Sequence, residues 1–268
     1  LKVNKGELLL NRIFVREESD QEYGMGKSRY KIGIAGVGKK AGTSLVATSL
    51  AKELSKNKTR RTAFVEIPAY EEGKSYIYDS LGMDKRFAGK IFFDFYEEIQ
   101  EGKNIKELIN LDERINWALD VPKKYKTHQK LQNIELCHLI NNITADQVIC
   151  DMPEIVSMDS VIKEMDLIVA VIDPLPSKLI GAYPQICYLK KCQLDGQPVI
   201  WVVNKYNEGI NKKELNGFIK IKNYIKMPLI PLEQLYSAEY SCKLPYSVKS
   251  IAEVLRQPVT EIVHKFNT

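Results

Sequence analysis

The sequence predicts an α/β protein: a doubly wound, mostly parallel sheet with helices on both faces. Short apolar runs recur along the chain without apolar/polar alternation, as strands covered on both faces require, and helix-period segments separate them. The stretch "KIGIAGVGKKAGTSLVATSLAKEL", residues 31–54, adds the strongest local signal. In it an apolar run ends in a glycine-rich turn, and a helix-period segment follows at once.

Each element follows in chain order. Residues 1–30 hold one apolar patch and then a polar, acidic run, which reads as a short hairpin and linker, the remnant of a preceding domain. The chain opens on Leu1 rather than Met, consistent with a lost upstream segment. Residues 31–268 read as one phosphate-loop domain. Strands are expected at 31–37, 62–67, 147–152, 167–172, 198–204 and 228–232, most of them β-branched. Helices are expected at 44–56, 157–165, 178–192, 212–221 and 247–266. Residues 70–146 break the rhythm, with helices near 92–101, 104–110 and 129–142 and a short strand at 114–119. The final segment is amphipathic but interrupted at Pro258, and it carries Glu253 and Glu261. That suits packing on the sheet more than lying on a membrane.

Composition sets the outer limits. A chain of 268 residues, 44% hydrophobic and 27% charged, has ample material for a core. The formal charge of +5 permits an acidic partner without requiring one. Lys212, Lys213, Lys220, Lys222 and Lys226 form a cluster that DNA could use, though exposed lysines are more often simply solvated. Five cysteines make an odd count with no CxxC pair, which argues against zinc or a disulfide framework and for a reducing cytoplasm. Cys150 and Cys187 sit in apolar runs and read as small core residues. No apolar run reaches the roughly 18 residues of a membrane span. His128, His138 and His264 are scattered and suggest no catalytic constellation.

The glycine-rich turn carries the chemistry. In a GxxxxGK[ST] loop, backbone amides cradle a phosphate, the lysine reaches its oxygens and the hydroxyl residue binds magnesium. Gly36, Gly38 and Gly42 supply the turns, and Ser44 stands where the magnesium ligand belongs. Thr43 occupies the lysine position, while Lys39 and Lys40 fall three and four residues earlier. Anchoring on Gly42 puts Val37 at the first glycine position; anchoring on Gly36 makes the loop one residue too long. A second match, "GMGKS" at 24–28, precedes the first core strand and has Gln21 in place of its first glycine. It reads as linker.

Other strand ends add candidates. "QVICDMPE" presents Asp151 at the end of an apolar run, as a magnesium carboxylate is presented. "AFVEIPAY" places Glu66 near the end of the second strand, a weak catalytic candidate or a solvent-facing carboxylate. "VIWVVNKYN" places Asn204 at the end of its strand with Lys205 next, and "PLIPLEQ" offers Pro231 and Glu233. Asp173 in "VIDPLPSK" is read as turn architecture.

Taken together, these features resemble the ParA/MinD superfamily of deviant phosphate-loop ATPases, from about residue 31 to the C-terminus. "GVGKKAGTS" (36–44) is similar to the degenerate loop of its CpaE/TadZ-like branch, associated with Tad pilus assembly. The resemblance implies ATP or ADP held by Gly36, Gly38, Lys39, Lys40, Ala41, Gly42, Thr43 and Ser44. Asn204, Lys205, Pro231 and Glu233 would surround the base, and Ser44 and Asp151 would take Mg2+. The family's signature lysine, second in the loop, is Gly38 here. Its Asp-x-Asp after the second strand is Glu66 and Pro68. These departures imply binding with weak or no hydrolysis, which leaves Glu66 and Asp151 as weak catalytic candidates. The implied role is a cytoplasmic homodimer acting as a positioning or assembly factor, recruited to a membrane or cell pole by partners of a pilus or secretion apparatus. The alternative is an active partition or placement ATPase.

Overall fold

The structure, a computed structural model, describes residues 29–67, 76–82, 114–120, 131–143 and 145–266. The expected linker up to residue 28, Pro68 and the helices near 92–101 and 104–110 lie outside the described residues. The strands are β1 (Tyr30–Val37), β2 (Thr62–Glu66), β3 (Ile115–Ala118), β4 (Gln147–Met152), β5 (Leu167–Ile172), β6 (Val199–Tyr206) and β7 (Ile225–Pro228). They form one seven-stranded sheet in the order β3-β2-β4-β1-β5-β6-β7, parallel at every pairing.

The helices are α1 (Thr43–Leu54), α2 (Tyr76–Ser80), α3 (Asn133–Asn142), α4 (Asp159–Lys163), α5 (Pro176–Leu194), α6 (Lys212–Ile219), α7 (Leu232–Tyr240) and α8 (Lys249–His264). Side chains of β1 alternate between two cores. Ile32 and Ile34 join α1, α2, α7 and α8 on one face, whereas Ala35 and Val37 join α3 to α6 on the other. Burial on both sides is why the central strands read as unbroken apolar runs. Because β1 sits between β4 and β5, the order in which strands are added reverses around it, and the turn leaving β1 lies at the topological switch point where such sheets bind ligands.

Three expectations are corrected. The last strand is Ile225–Pro228 rather than 228–232. It is the sheet edge, with Ile225 and Met227 buried and Lys226 exposed, so it alternates and shows no apolar run. The residues after it open α7 instead, with Pro231 at the N-cap. Cys187 is exposed, unlike the buried Cys150. The core face of α5 runs through Leu179, Ala182, Ile186 and Leu189, and position 187 falls off that stripe. Finally, Pro258 does not interrupt α8, nor Pro184 α5. Each proline removes the donor to the carbonyl four residues back, and those residues, Val254 and Ile180, are exposed to water. As expected, α8 packs on the sheet through Ile251, Leu255, Val259 and Ile262.

Candidate functional site

The turn between β1 and α1 is built from left-handed residues. Gly38, Lys40 and Gly42 have φ of 99°, 60° and 90°. Lys40 is the strained member, since a side chain disfavours this region. Two glycines are sterically required. A Cβ at Gly36 would run into the Pro153 carbonyl oxygen, and one at Gly42 into the Asn204 amide. The first intrahelical bond of α1 is Val46 N–H to Gly42 O at 3.3 Å. The amides of Thr43, Ser44 and Leu45 therefore have no helical acceptor, and they sit at the positive end of the helix dipole. This is an anion-binding arrangement of backbone.

The loop's cations are placed differently. Thr43 is buried and brings a hydroxyl where a lysine would stand. Lys39 and Lys40 are both exposed. Among the described residues Lys39 makes only a loose pair with Glu154, Nζ to Oε1 3.9 Å.

Two β6 residues reach the loop from below. Asn204 Nδ2 donates to Ala41 O at 2.8 Å, and Asn204 is only 1% exposed. Lys205 Nζ donates to Lys40 O at 2.9 Å and pairs with Asp173 Oδ2 at 2.6 Å. Asp173 Oδ1 accepts from Leu175 N–H at 3.1 Å. The resemblance sets Asn204 against a base; in the structure its amide lies under the loop and is bonded to it. Pro231 and Glu233 are exposed at the start of α7, beyond the edge strand.

Asp151 lies in β4, opposite Ile34 of β1 and Glu66 of β2. It is buried, with the Ser44 and Thr43 hydroxyls beside it, where they favour its charged form. Burial pushes its carboxyl up to about 7, against the pull of those hydroxyls. Its Oδ1 has no hydrogen-bond partner among the described residues. One orphaned carboxylate oxygen beside a serine hydroxyl suits Mg2+, a hard cation that takes few protein ligands alongside phosphate and water. Among the described residues no cluster of three His, Cys, Asp or Glu could hold a metal by itself.

Glu66 is buried rather than solvent-facing. Its Oε1 accepts from Ile77 N–H at 3.5 Å and its Oε2 from Asp120 N–H at 3.2 Å. These contacts tie β2 to the start of α2 and the end of β3. The residue that sequence reasoning undervalued is Asp173, whose only local signal was a carboxylate at a strand end before two prolines. Beside it, a cavity of about 630 Å³ opens between α5 and α6, lined by Leu175, Leu179, Ile180, Leu215 and Phe218. Among the described residues no helix is long and apolar enough to cross a membrane.

No protein-family profile matches this chain, and no characterised protein matches it by sequence. Solved structures do match. A ParA family ATPase from Chlorobium tepidum superposes with a TM-score of 0.66 at 15% identity, covering 87% of this chain and 96% of its own. A plasmid partition protein from Borrelia burgdorferi bound to AMPPNP also gives 0.66, at 16% identity, covering 88% and 99%. The septum site-determining protein MinD of Pyrococcus horikoshii, complexed with Mg-ADP, gives 0.63 at 15% identity, covering 87% and 95%. The chain therefore has the α/β phosphate-loop fold of ParA/MinD-type ATPases.

Proposed function

We propose that this chain binds ATP or ADP with Mg2+ on the β1–α1 loop and hydrolyses it slowly or not at all. One observation carries the reading: the loop keeps its anion-binding amides but has buried Thr43 in place of the cation. Gly36 to Ser44 would enclose the phosphates, with Pro231 and Glu233 approaching the base from α7. Ser44 and Asp151 would hold Mg2+, which neutralises charge between phosphates when bound. Glu66 already accepts two backbone amides, which fits a structural carboxylate better than a water-activating one. Binding without turnover makes a switch rather than a motor. The chain would then be a cytoplasmic, nucleotide-sensitive homodimer that positions or assembles a pilus or secretion apparatus, drawn to a membrane or pole by its partners. The CpaE/TadZ-like loop "GVGKKAGTS" supports that role.

A second reading is an active partition or placement ATPase. It is favoured by the plasmid partition and MinD proteins among the structural neighbours. Titration with ATP and ADP, with and without Mg2+, followed by size exclusion and a phosphate-release assay, separates the two. Saturable binding with dimer formation and no release is expected. Brisk release abolished by Asp151→Ala would establish the second reading, and no binding at millimolar nucleotide would remove both.

A further inference from the structure

Consecutive side chains of a regular strand point to opposite faces, so neighbours in β6 should not both reach one loop. Here they do. The β6–β7 register shifts between Val203 and Tyr206, and Lys205 adopts φ 55°. That irregularity brings Lys205 to the loop beside Asn204. The two residues then donate to successive loop carbonyls, Lys205 to Lys40 and Asn204 to Ala41. Asp173, 3% exposed at the end of β5, anchors the ammonium from behind.

The peptide bond converts these contacts into a statement about amides. In a trans peptide, the carbonyl of one residue and the N–H of the next point in opposite directions within one plane. Holding the Lys40 carbonyl toward β6 therefore aims the Ala41 N–H away from β6. Holding the Ala41 carbonyl does the same for the Gly42 N–H. We infer that Asn204, Lys205 and Asp173 form a fastening that keeps the loop amides at Ala41 and Gly42 presented to an anion, with Lys205 a positioning residue rather than a phosphate ligand. The fastening partly offsets the missing lysine by fixing the backbone donors that remain. It also accounts for Asp173 and Lys205 facing each other across two strand ends with no reaction assigned to either. Its effect on affinity rests on the nucleotide reading above; its effect on loop order does not.

The test compares wild type, Lys205→Met, Lys205→Arg and Asp173→Asn. Backbone 15N order parameters are measured for residues 39–43 without nucleotide, and ATP affinity by calorimetry. Lys205→Met should drop the order parameters at Ala41 and Gly42 from rigid values of about 0.85 toward about 0.6. It should also weaken ATP about tenfold, the worth of one hydrogen bond to a charged group. Lys205→Arg should restore both, and Asp173→Asn should fall between. Weaker ATP binding with unchanged order in the free protein would overturn the inference, because Lys205 would then touch the nucleotide itself. Unchanged order and affinity would overturn it too. If wild type binds no ATP, the nucleotide reading fails and the order parameters alone decide the fastening. Should Lys205→Met not fold, the Asp173→Asn measurement decides in the same way.

Discussion

Burial pushes the Asp151 carboxyl from the usual 3.8 up to about 7, while the Ser44 and Thr43 hydroxyls hold it down. Between those two values the folded protein keeps a proton that the unfolded chain has released. Stability in the absence of nucleotide therefore falls as pH rises through that window, with the full penalty present above about pH 7. Asp151→Asn removes the titration. It should unfold at higher urea than wild type at pH 8, by about 2–4 kcal/mol, with the gap shrinking as pH falls through the window and closing only near about pH 4. The same variant should lose the Mg2+-dependent part of ATP affinity. A gap that is constant with pH would show that Asp151 does not titrate in this range. Asp151 was legible in the sequence because an acid ending an apolar run is a local signal. Glu66 was legible only as an acid, because its partners, Ile77 and Asp120, come from distant parts of the chain.

Elements follow the same division. The central strands were visible because both faces are buried and the side chains say so. The edge strand β7 was misplaced because half of it faces water, and its alternation over four residues is too short to stand out. Its sequence carries a safeguard. Lys226 is exposed on that edge and lies over the Tyr206 ring at 5.1 Å from the centroid. A lysine on an unpaired edge discourages pairing with another chain. Lys226→Val should raise concentration-dependent association in light scattering while leaving the circular dichroism spectrum unchanged. Monodisperse behaviour at high concentration would remove this role. Helix α8 makes the converse point: Pro258 suggested a break, yet four buried residues hold the helix continuous across it.

At the scale of the whole molecule, β1 binds the two halves of the sheet, and the phosphate loop leaves the strand that both halves share. A ligand on that loop binds the folded state alone, so its binding free energy adds to global stability. At a hundredfold excess over Kd, Mg-ATP should stabilise the fold by about 2.7 kcal/mol, read as a rise in melting temperature. A melting temperature indifferent to nucleotide would count against the loop as a binding site. By itself the sequence determined the alternation of strands and helices, the place of the loop and the absence of its lysine. All of these are properties of neighbouring residues: side-chain period, glycine spacing and residue type. Only the tertiary structure decided what holds the loop. Asn204 and Lys205 meet Ala41 and Lys40 across more than 160 positions, and a shift in strand register aims them there. Contacts so distant in sequence leave no local pattern, because they are created by the packing of whole strands.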